Sequence, residues 1–153
     1  MEAVAAKGGD VNELSEILGE KGREVLEIEA DESDLEAVKQ MVEANVGSLL
    51  VTEGGRVTGI VTERDYLRRV TLHGRTDEDT AVREIMSSPL IVATPETLVD
   101  ECMALMTDQR IRHVPVVEGG EVVGVVSIGD LVKFKSRRQS FEIQYLTEYI
   151  TAS

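Results

Sequence analysis

The first half of this chain alternates apolar runs with helical stripes. A strand is predicted at Val25–Ile28, and a helix follows in which apolar residues recur every three or four positions. Two more strands, Ser48–Thr52 and Val57–Val61, flank the pair Gly54-Gly55, which is typical of a tight hairpin turn. A second helix is predicted at Glu63–Leu72. The predicted order is therefore β-α-β-β-α.

The second half repeats this order. It starts with a predicted strand at Leu90–Val92, contains a hairpin around Gly119-Gly120 and ends in a predicted helix at Ile128–Arg137. The helical stripe in the middle of each half predicts one buried face. The stripe residues are Leu35, Val38, Met41 and Val42 in the first half and Val99, Cys102, Met103 and Met106 in the second.

An internal repeat accounts for this doubling. When the chain is shifted by 65 residues, Gly47–Asp65 falls on Arg112–Asp130, and eight of the 19 aligned pairs are identical. Chance at ordinary composition would give about one or two. The chain is therefore predicted to contain two copies of one unit.

The fold class that follows is α/β (α+β). A β-α-β-β-α unit of this size leaves one sheet face bare, so we expect the two repeats to pack about a pseudo-two-fold axis. Helical patterns at Val11–Leu18 and Phe141–Ile150 predict additional N- and C-terminal helices that cover the core. The predicted division is a helical extension at 1–20, repeats at 21–72 and 81–138 with a linker at 73–80, and a final helix at 139–153.

Charge and composition exclude several function classes. The chain has 153 residues and a net charge of −13, from 16 basic and 29 acidic residues, which argues against general binding to nucleic acid or anionic membranes. No apolar run approaches the roughly 20 residues that span a bilayer. The single cysteine, Cys102, falls on a predicted buried helix face and excludes a disulfide framework. We expect a cytoplasmic protein, or an organelle matrix protein after removal of a transit peptide.

Candidate chemistry lies where a strand turns into a helix in each repeat. Thr62 and Asp65, and likewise Ser127 and Asp130, place a hydroxyl and a carboxylate three positions apart. This spacing has two interpretations. It is a helix capping box, or it is a site in which the helix N-terminus binds a phosphate and the acid binds the hydroxyls of a ribose.

Other residues near these positions extend the second interpretation. Arg64 could reach a phosphate, and Gly59 and Gly124 would let a planar base approach the backbone. Arg112 and His113, with Arg110, supply the local basic cluster that an anionic ligand would need in so acidic a protein. No P-loop, dinucleotide fingerprint, zinc-protease motif or acid–base pair is present, and His73 and Asp77 lie in a polar linker, so catalysis is not expected.

The repeated Gly-x-x-Thr/Ser-x-x-Asp pattern carries a family resemblance. Together with the Val82–Met86 segment and the Arg112-His-Val-Pro115 turn, it resembles a tandem cystathionine-β-synthase (CBS) domain pair, also called a Bateman module. The resemblance covers roughly Lys21 to Lys135, and the chain is similar to stand-alone CBS-pair proteins.

The resemblance implies a module that binds adenosine-containing ligands: AMP, ADP, ATP, NAD(H) or S-adenosylmethionine. In the family each motif Asp holds ribose hydroxyls, and the adenine lies against the other repeat. One implied site combines Thr62, Arg64 and Asp65 with Thr94, Ile111, Arg112 and His113. The other combines Ser127 and Asp130 with Val46, Gly47 and Ser48.

The two implied sites differ. Thr94 has Glu29 as its counterpart, the Pro115 turn has no proline in the first repeat, and Arg64 is replaced by Gly129. We therefore expect a phosphorylated ligand to occupy the Asp65 site in preference to the Asp130 site. Glu29 would repel a phosphate at the Asp130 site, although Arg112 and His113 could still reach it.

Three functions remain open after the sequence analysis. The first is a non-catalytic regulatory sensor that forms a homodimer and signals to a separate protein effector, with no nucleic acid, membrane, metal or required cofactor involved. The second is a ligand-free interaction scaffold. The third, a small enzyme acting on a nucleotide, has no sequence feature to support it.

Overall fold

The computed structural model of the chain describes residues 12–71, 74 and 78–137. It confirms a mixed helix and strand fold, divided into two compact units. The first-repeat unit is Glu24–Ile91, and the second-repeat unit is Met1–Arg23 together with Val92–Ser153. The predicted tail helix at Phe141–Ile150 lies outside the described residues, as do His73 and Asp77.

A three-stranded sheet organises the first-repeat unit. Strand β1 (Glu27–Glu29) pairs in parallel with β2 (Ser48–Glu53), which pairs antiparallel with β3 (Arg56–Thr62). Between β1 and β2 runs helix α2 (Asp34–Ala44), which begins at the cap residue Ser33, whose side chain accepts from the Glu36 N–H. The predicted β-α-β-β order is therefore confirmed, with the first strand shifted by one or two residues.

The first-repeat unit continues beyond its sheet. After β3 a short helical turn, α3 (Glu63–Asp65), passes into a π-helical segment, Tyr66–Thr71. A four-residue helix, α4 (Val82–Ile85), completes the unit. Helix α1 (Leu14–Lys21) comes earlier in the chain and belongs to the second-repeat unit.

The second-repeat unit contains the matching hairpin. Helix α5 (Val99–Gln109) leads to strand β4 (His113–Glu118), which pairs antiparallel with β5 (Glu121–Ser127). A helix, α6, then covers residues 128–137. Both hairpin turns are glycine pairs with positive φ, of 58° and 79° at Gly54-Gly55 and 62° and 82° at Gly119-Gly120. Such a turn needs two left-handed residues, so the glycine prediction is confirmed.

The predicted strand at Leu90–Val92 is not formed, and two prolines explain why. In the first-repeat unit the Leu50 N–H donates to the Leu26 carbonyl at 3.0 Å, and the Ala30 N–H donates to Thr52 at 2.9 Å. Sixty-five residues later the counterpart of Leu50 is Pro115 and that of Ala30 is Pro95. Proline has no N–H, so neither hydrogen bond can form in the second-repeat unit. Only a single parallel bridge remains, between Ala93 and Val116.

Each unit is completed by a segment that we call its cover segment. In the second-repeat unit this is residues 12–21, which contain α1, and in the first-repeat unit it is residues 80–89, which contain α4. The bonds correspond: Leu14 N–H donates to Thr97 at 2.9 Å, and Val82 N–H donates to Glu32 at 2.8 Å. The cover segments are therefore related by a shift of 68 residues, three more than the repeats themselves.

Two separate apolar cores result, one in each unit. The second-repeat core includes Leu14, Ile17 and Leu18 of α1, which confirms that this helix covers core. The remaining buried members of that core are Ala93, Val99, Cys102, Met106, Val114, Val116, Val126, Leu131 and Phe134. The first-repeat core combines Val82 and Ile85 of α4 with residues of the sheet and α2.

One part of the predicted helical stripe is wrong. Val42 is 74% exposed, whereas Asp34, Ala37 and Met41 form the buried face of α2. A helix turns 100° per residue, so a face centred on Ala37 and Met41 places Val42 to one side.

Candidate functional site

The strand-to-helix corner of the first-repeat unit is a closed capping box. The Thr62 N–H donates to Asp65 Oδ2 at 2.9 Å, and the Asp65 N–H donates to Thr62 Oγ1 at 3.2 Å. The Thr62 hydroxyl also lies 3.1 Å from the same Oδ2, to which it donates. The capping interpretation of this motif is therefore confirmed, and it holds Asp65 in one orientation.

The corner of the second-repeat unit has the same two bonds from backbone N–H groups. The Ser127 N–H donates to Asp130 Oδ2 at 2.8 Å, and the Asp130 N–H donates to Ser127 Oγ at 3.1 Å. In both corners the capping bonds to the carboxylate end on Oδ2, so Oδ1 takes no part in the cap. Capping therefore leaves one carboxylate oxygen of each Asp for another partner.

The residues that start the second strand of each repeat lie beside the corner of the same unit. The Glu63 N–H donates to the Gly47 carbonyl at 3.1 Å, and the Ile128 N–H donates to the Arg112 carbonyl at 2.8 Å. Ser48 pairs with Thr62 in one sheet, and His113 pairs with Ser127 in the other. The structure thus brings Gly47 and Ser48 to the Asp65 corner, and Arg112 and His113 to the Asp130 corner.

The remaining predicted residues occupy different surroundings. Val46 and Ile111 pack partly buried against the cores of their own units. Thr94 is exposed, and its N–H donates to Thr97 Oγ1 at 3.0 Å. Arg64 is exposed in α3. The first implied site takes residues from both units. The first-repeat unit supplies Thr62, Arg64 and Asp65, and the second-repeat unit supplies Thr94, Ile111, Arg112 and His113. Their combination in one site therefore stays a prediction.

The pKa values of the two corner carboxylates are shifted in opposite directions. Burial raises the pKa of Asp65, against the opposing effects of its bonds to Thr62 and of the Arg69 and Arg68 charges. The pKa of Asp130 is lowered instead. Burial alone would raise it, but this effect is outweighed by the bond and charge of Lys21 together with the bonds from Ser127.

Lys21 is a residue that the sequence analysis missed. It is the last residue of α1, and its Nζ donates to Asp130 Oδ2 at 2.5 Å and to the Val125 carbonyl at 2.7 Å. In the first-repeat unit the carbonyl that corresponds to Val125 belongs to Ile60 and accepts from the Ser87 N–H at 2.8 Å. A lysine in one cover segment thus replaces a backbone donor in the other.

Basic side chains other than the Lys21–Asp130 pair also lie near the two corners. The pKa of His113 is lowered, first by burial and then by the Lys21 and Arg112 charges, while Asp130 acts in the opposite direction. At the other corner Arg69 donates to the carbonyls of Ile85 at 2.9 Å and Met86 at 3.2 Å. Arg69 therefore ties the π-helical segment to the cover segment of its unit.

The two glycines at the ends of the strands make room for protein. A Cβ on Gly59 would lie 2.8 Å from both Met86 Sδ and the Ser87 carbonyl oxygen, and one on Gly124 would lie 2.7 Å from Leu18 Cδ2. The prediction that this face of the glycines admits a planar base is therefore wrong. The cover segments pack there: a Cβ at Gly59 would clash with the backbone of one segment, and a Cβ at Gly124 would displace the end of the Leu18 side chain in the other.

Within the described ranges, no group of three or more His, Cys, Asp or Glu side chains could hold a metal ion. In the same part of the chain, no helix is long and apolar enough to cross a membrane.

Comparison with known proteins identifies both repeats. The family profile of the CBS domain matches residues 15–72 and again 82–137. The chain is 40% identical over 152 residues to the mitochondrial CBS domain-containing protein CBSX3 of Arabidopsis thaliana, a match that covers 94% of this chain and 74% of that protein.

Solved structures agree with this match. A protein with CBS domains from Burkholderia ambifaria is 43% identical and superposes with a TM-score of 0.77, over 80% of this chain and 92% of its own. The hexameric CBS-CP12 protein from bloom-forming cyanobacteria is 30% identical, with a TM-score of 0.74 over 93% of this chain and 86% of its own.

Proposed function

This chain belongs to the CBS-domain family, with two CBS domains, and from that premise we propose that it is a non-catalytic regulatory module that binds adenosine-containing ligands. CBS-domain proteins are regulatory and signal-transduction modules. The candidate ligands are AMP, ADP and ATP, with NAD(H) and S-adenosylmethionine as further members of the class. What they share is an adenosine whose ribose carries two adjacent hydroxyls.

The observation that carries the proposal is the orientation of Asp65 and Asp130. Each carboxylate is fixed by a capping box through Oδ2, so it cannot turn away from its corner without breaking that cap. A fixed carboxylate with its second oxygen outside the cap can accept the two hydroxyls of a ribose. In this proposal capping and ribose binding are therefore compatible roles of one side chain.

Positive charge near each corner supports an anionic ligand. Arg68 and Arg69 act on Asp65 through their charges, and Lys21 and Arg112 act on His113 next to Asp130. Guanidinium and ammonium groups bind phosphate through strong charge-assisted hydrogen bonds. A chain with a net charge of −13 needs such local groups to bind an anion at all.

We extend the proposal to the output of the module. A nucleotide would act by shifting the equilibrium between two conformations, and a separate protein effector would bind one of them more tightly. We expect a homodimer, and the hexameric assembly of the cyanobacterial relative is compatible with self-association. The proposed location is the cytoplasm or an organelle matrix; the similar Arabidopsis protein is mitochondrial.

The second candidate is a scaffold that binds a protein and no nucleotide. The completeness of both capping boxes favours it, because Asp65 and Asp130 would have a structural role even without a ligand. The two candidates predict different results when one carboxylate is changed.

Calorimetry with AMP, ATP, NADH and S-adenosylmethionine tests the proposal, with Asp65→Asn as the variant and Glu63→Gln as its control. Glu63 is an exposed neighbour in α3, and its change alters the net charge by the same amount. We expect at least one ligand to bind with a Kd between micromolar and millimolar, more weakly in Asp65→Asn and equally in Glu63→Gln. Folded protein that binds none of the four ligands would favour the scaffold.

A further inference from the structure

We propose that Lys21 selects phosphorylated ligands at the Asp130 corner, an inference that rests on the proposed function and assigns a specificity to one of its two sites. Helix α1 comes from the chain before the first repeat and packs in the second-repeat unit. Through Lys21 this helix places an ammonium group directly on the carboxylate that is proposed to hold the ribose.

The ammonium group has a donor left for a ligand. A lysine carries three N–H donors, and the bonds to Asp130 Oδ2 and the Val125 carbonyl use two of them. The Lys21 side chain is 41% exposed, so water reaches it, whereas Asp130 is 24% exposed. A phosphate oxygen can therefore take the third N–H without breaking the existing pair.

The charges at this corner favour an anion over a neutral ligand. Lys21 neutralises Asp130, and Arg112 adds an exposed positive charge close to His113. A neutral nucleoside can bind only the Asp130 carboxylate, through its ribose hydroxyls. A phosphorylated nucleoside can also bind the Lys21 ammonium group, through its phosphate. Lys21 should therefore affect the affinity for AMP far more than the affinity for adenosine.

The corresponding place in the first-repeat unit has no lysine. The cover segments are related by a shift of 68 residues, so the counterpart of Lys21 is Pro89. The sequence differences between the two sites rank the Asp65 site first for a phosphorylated ligand, because of Thr94 against Glu29, the Pro115 turn and Arg64 against Gly129. Lys21 adds to the Asp130 site a cation that this ranking did not include.

Calorimetry with AMP and with adenosine tests the inference in the full chain. The Asp65→Asn background removes the contribution of the Asp65 corner, and Lys21→Met is then compared with the same background. We expect Lys21→Met to weaken AMP binding at least tenfold, because a charge-assisted hydrogen bond is lost, and adenosine binding less than threefold. Lys21→Arg should retain most of the preference for AMP.

Two controls keep the result specific. Arg23→Met removes a positive charge just after α1, where Arg23 pairs with Glu118 at 3.5 Å, and should change neither affinity. Lys21→Gln repeats the test with a polar side chain, and circular dichroism checks the fold of each variant.

The outcomes separate the inference from the proposed function. AMP binding with equal losses for AMP and adenosine in Lys21→Met, or with no loss, would overturn the inference and leave the proposed function standing. If neither the wild type nor any variant binds AMP or adenosine, both the inference and the proposed function are overturned at this corner.

Discussion

Lys21 and Asp130 form an ion pair between residues 109 positions apart in the chain, and this pair joins the last turn of α1 to the capping box of α6. The pair lowers the pKa of Asp130, while its counterpart Asp65, without such a lysine, has a raised pKa. Two repeats with the same capping bonds therefore present carboxylates of different electrostatic character.

The ion pair should stabilise the protein at neutral pH. Lys21→Met is expected to lower the free energy of unfolding by about 1 kcal/mol, a modest value because water screens a partly exposed pair. Folding lowers the pKa of Asp130 below its ordinary value of 3.8. The stability that the Asp130 carboxylate contributes is therefore complete above pH 3.8, and it is lost as the pH falls through the lowered pKa. Urea unfolding at several pH values measures this.

The matched control for this prediction is Arg23→Met, whose exposed partner Glu118 should contribute less than about 0.5 kcal/mol. A difference between wild type and Lys21→Met that persisted unchanged well below pH 3.8 would show that packing of the lysine stem, rather than its charge, stabilises the fold.

The pKa of His113 depends on the charges of both Lys21 and Asp130. Removing the Lys21 charge should move the lowered pKa of His113 up toward its ordinary value, and Asp130→Asn should move it further down. Burial is the largest cause, so neither variant restores the ordinary value. Proton NMR titration of the imidazole resonances measures both shifts, and His73→Gln assigns the signals because the chain has two histidines. Shifts in the same direction for both variants would contradict this account.

The prolines show how far the sequence could predict the fold. The repeat, the hairpins and their glycine turns follow from identities at a shift of 65 residues and from local turn chemistry. The loss of the strand at Leu90–Val92 was also encoded, because Pro95 and Pro115 replace two donors of the ladder. It was missed because the pairing partner of each proline becomes evident only when the register is known.

The cover segments could not be predicted in the same way. At the shift of 68 residues that relates 12–21 to 80–89, only Glu16/Glu84 and Ile17/Ile85 are identical. Two matches in ten residues do not stand out, and nothing local shows which repeat a short amphipathic helix will cover. Lys21 was missed for the same reason, since its partner Asp130 is defined by the tertiary packing of α1.

The candidate site was predicted in part. The capping bonds of Thr62 with Asp65 and of Ser127 with Asp130 followed directly from the spacing, because N-cap chemistry is local. The difference between Asp65 and Asp130 depends on burial and on long-range charges such as Lys21, which the spacing does not contain.

The strand glycines should tolerate a methyl group to different degrees. Gly59→Ala places a Cβ against a backbone oxygen of Ser87 and should destabilise the protein by about 3 kcal/mol. Gly124→Ala meets only the end of the Leu18 side chain, which can rotate, and should cost about 1 kcal/mol. Chemical denaturation of the two variants compares them, and equal losses would contradict the assigned contacts.

Cys102 should be inert in the folded protein. Burial raises the pKa of its thiol to about 11, so at pH 8 only about one thiol in a thousand is ionised. A thiol-reactive chromophore should therefore label Cys102 slowly at pH 8 and rapidly after unfolding in urea. Rapid labelling of the folded protein would show that α5 opens readily.

The most direct measurement compares AMP with 2′,3′-dideoxy-AMP by calorimetry, in the wild type and in the double variant Asp65→Asn, Asp130→Asn. If the two carboxylates hold ribose hydroxyls, the wild type should bind AMP at least tenfold more tightly than the dideoxy compound, and the double variant should lose most of that preference. Equal affinity of the wild type for both compounds would contradict the account and leave Asp65 and Asp130 as helix caps.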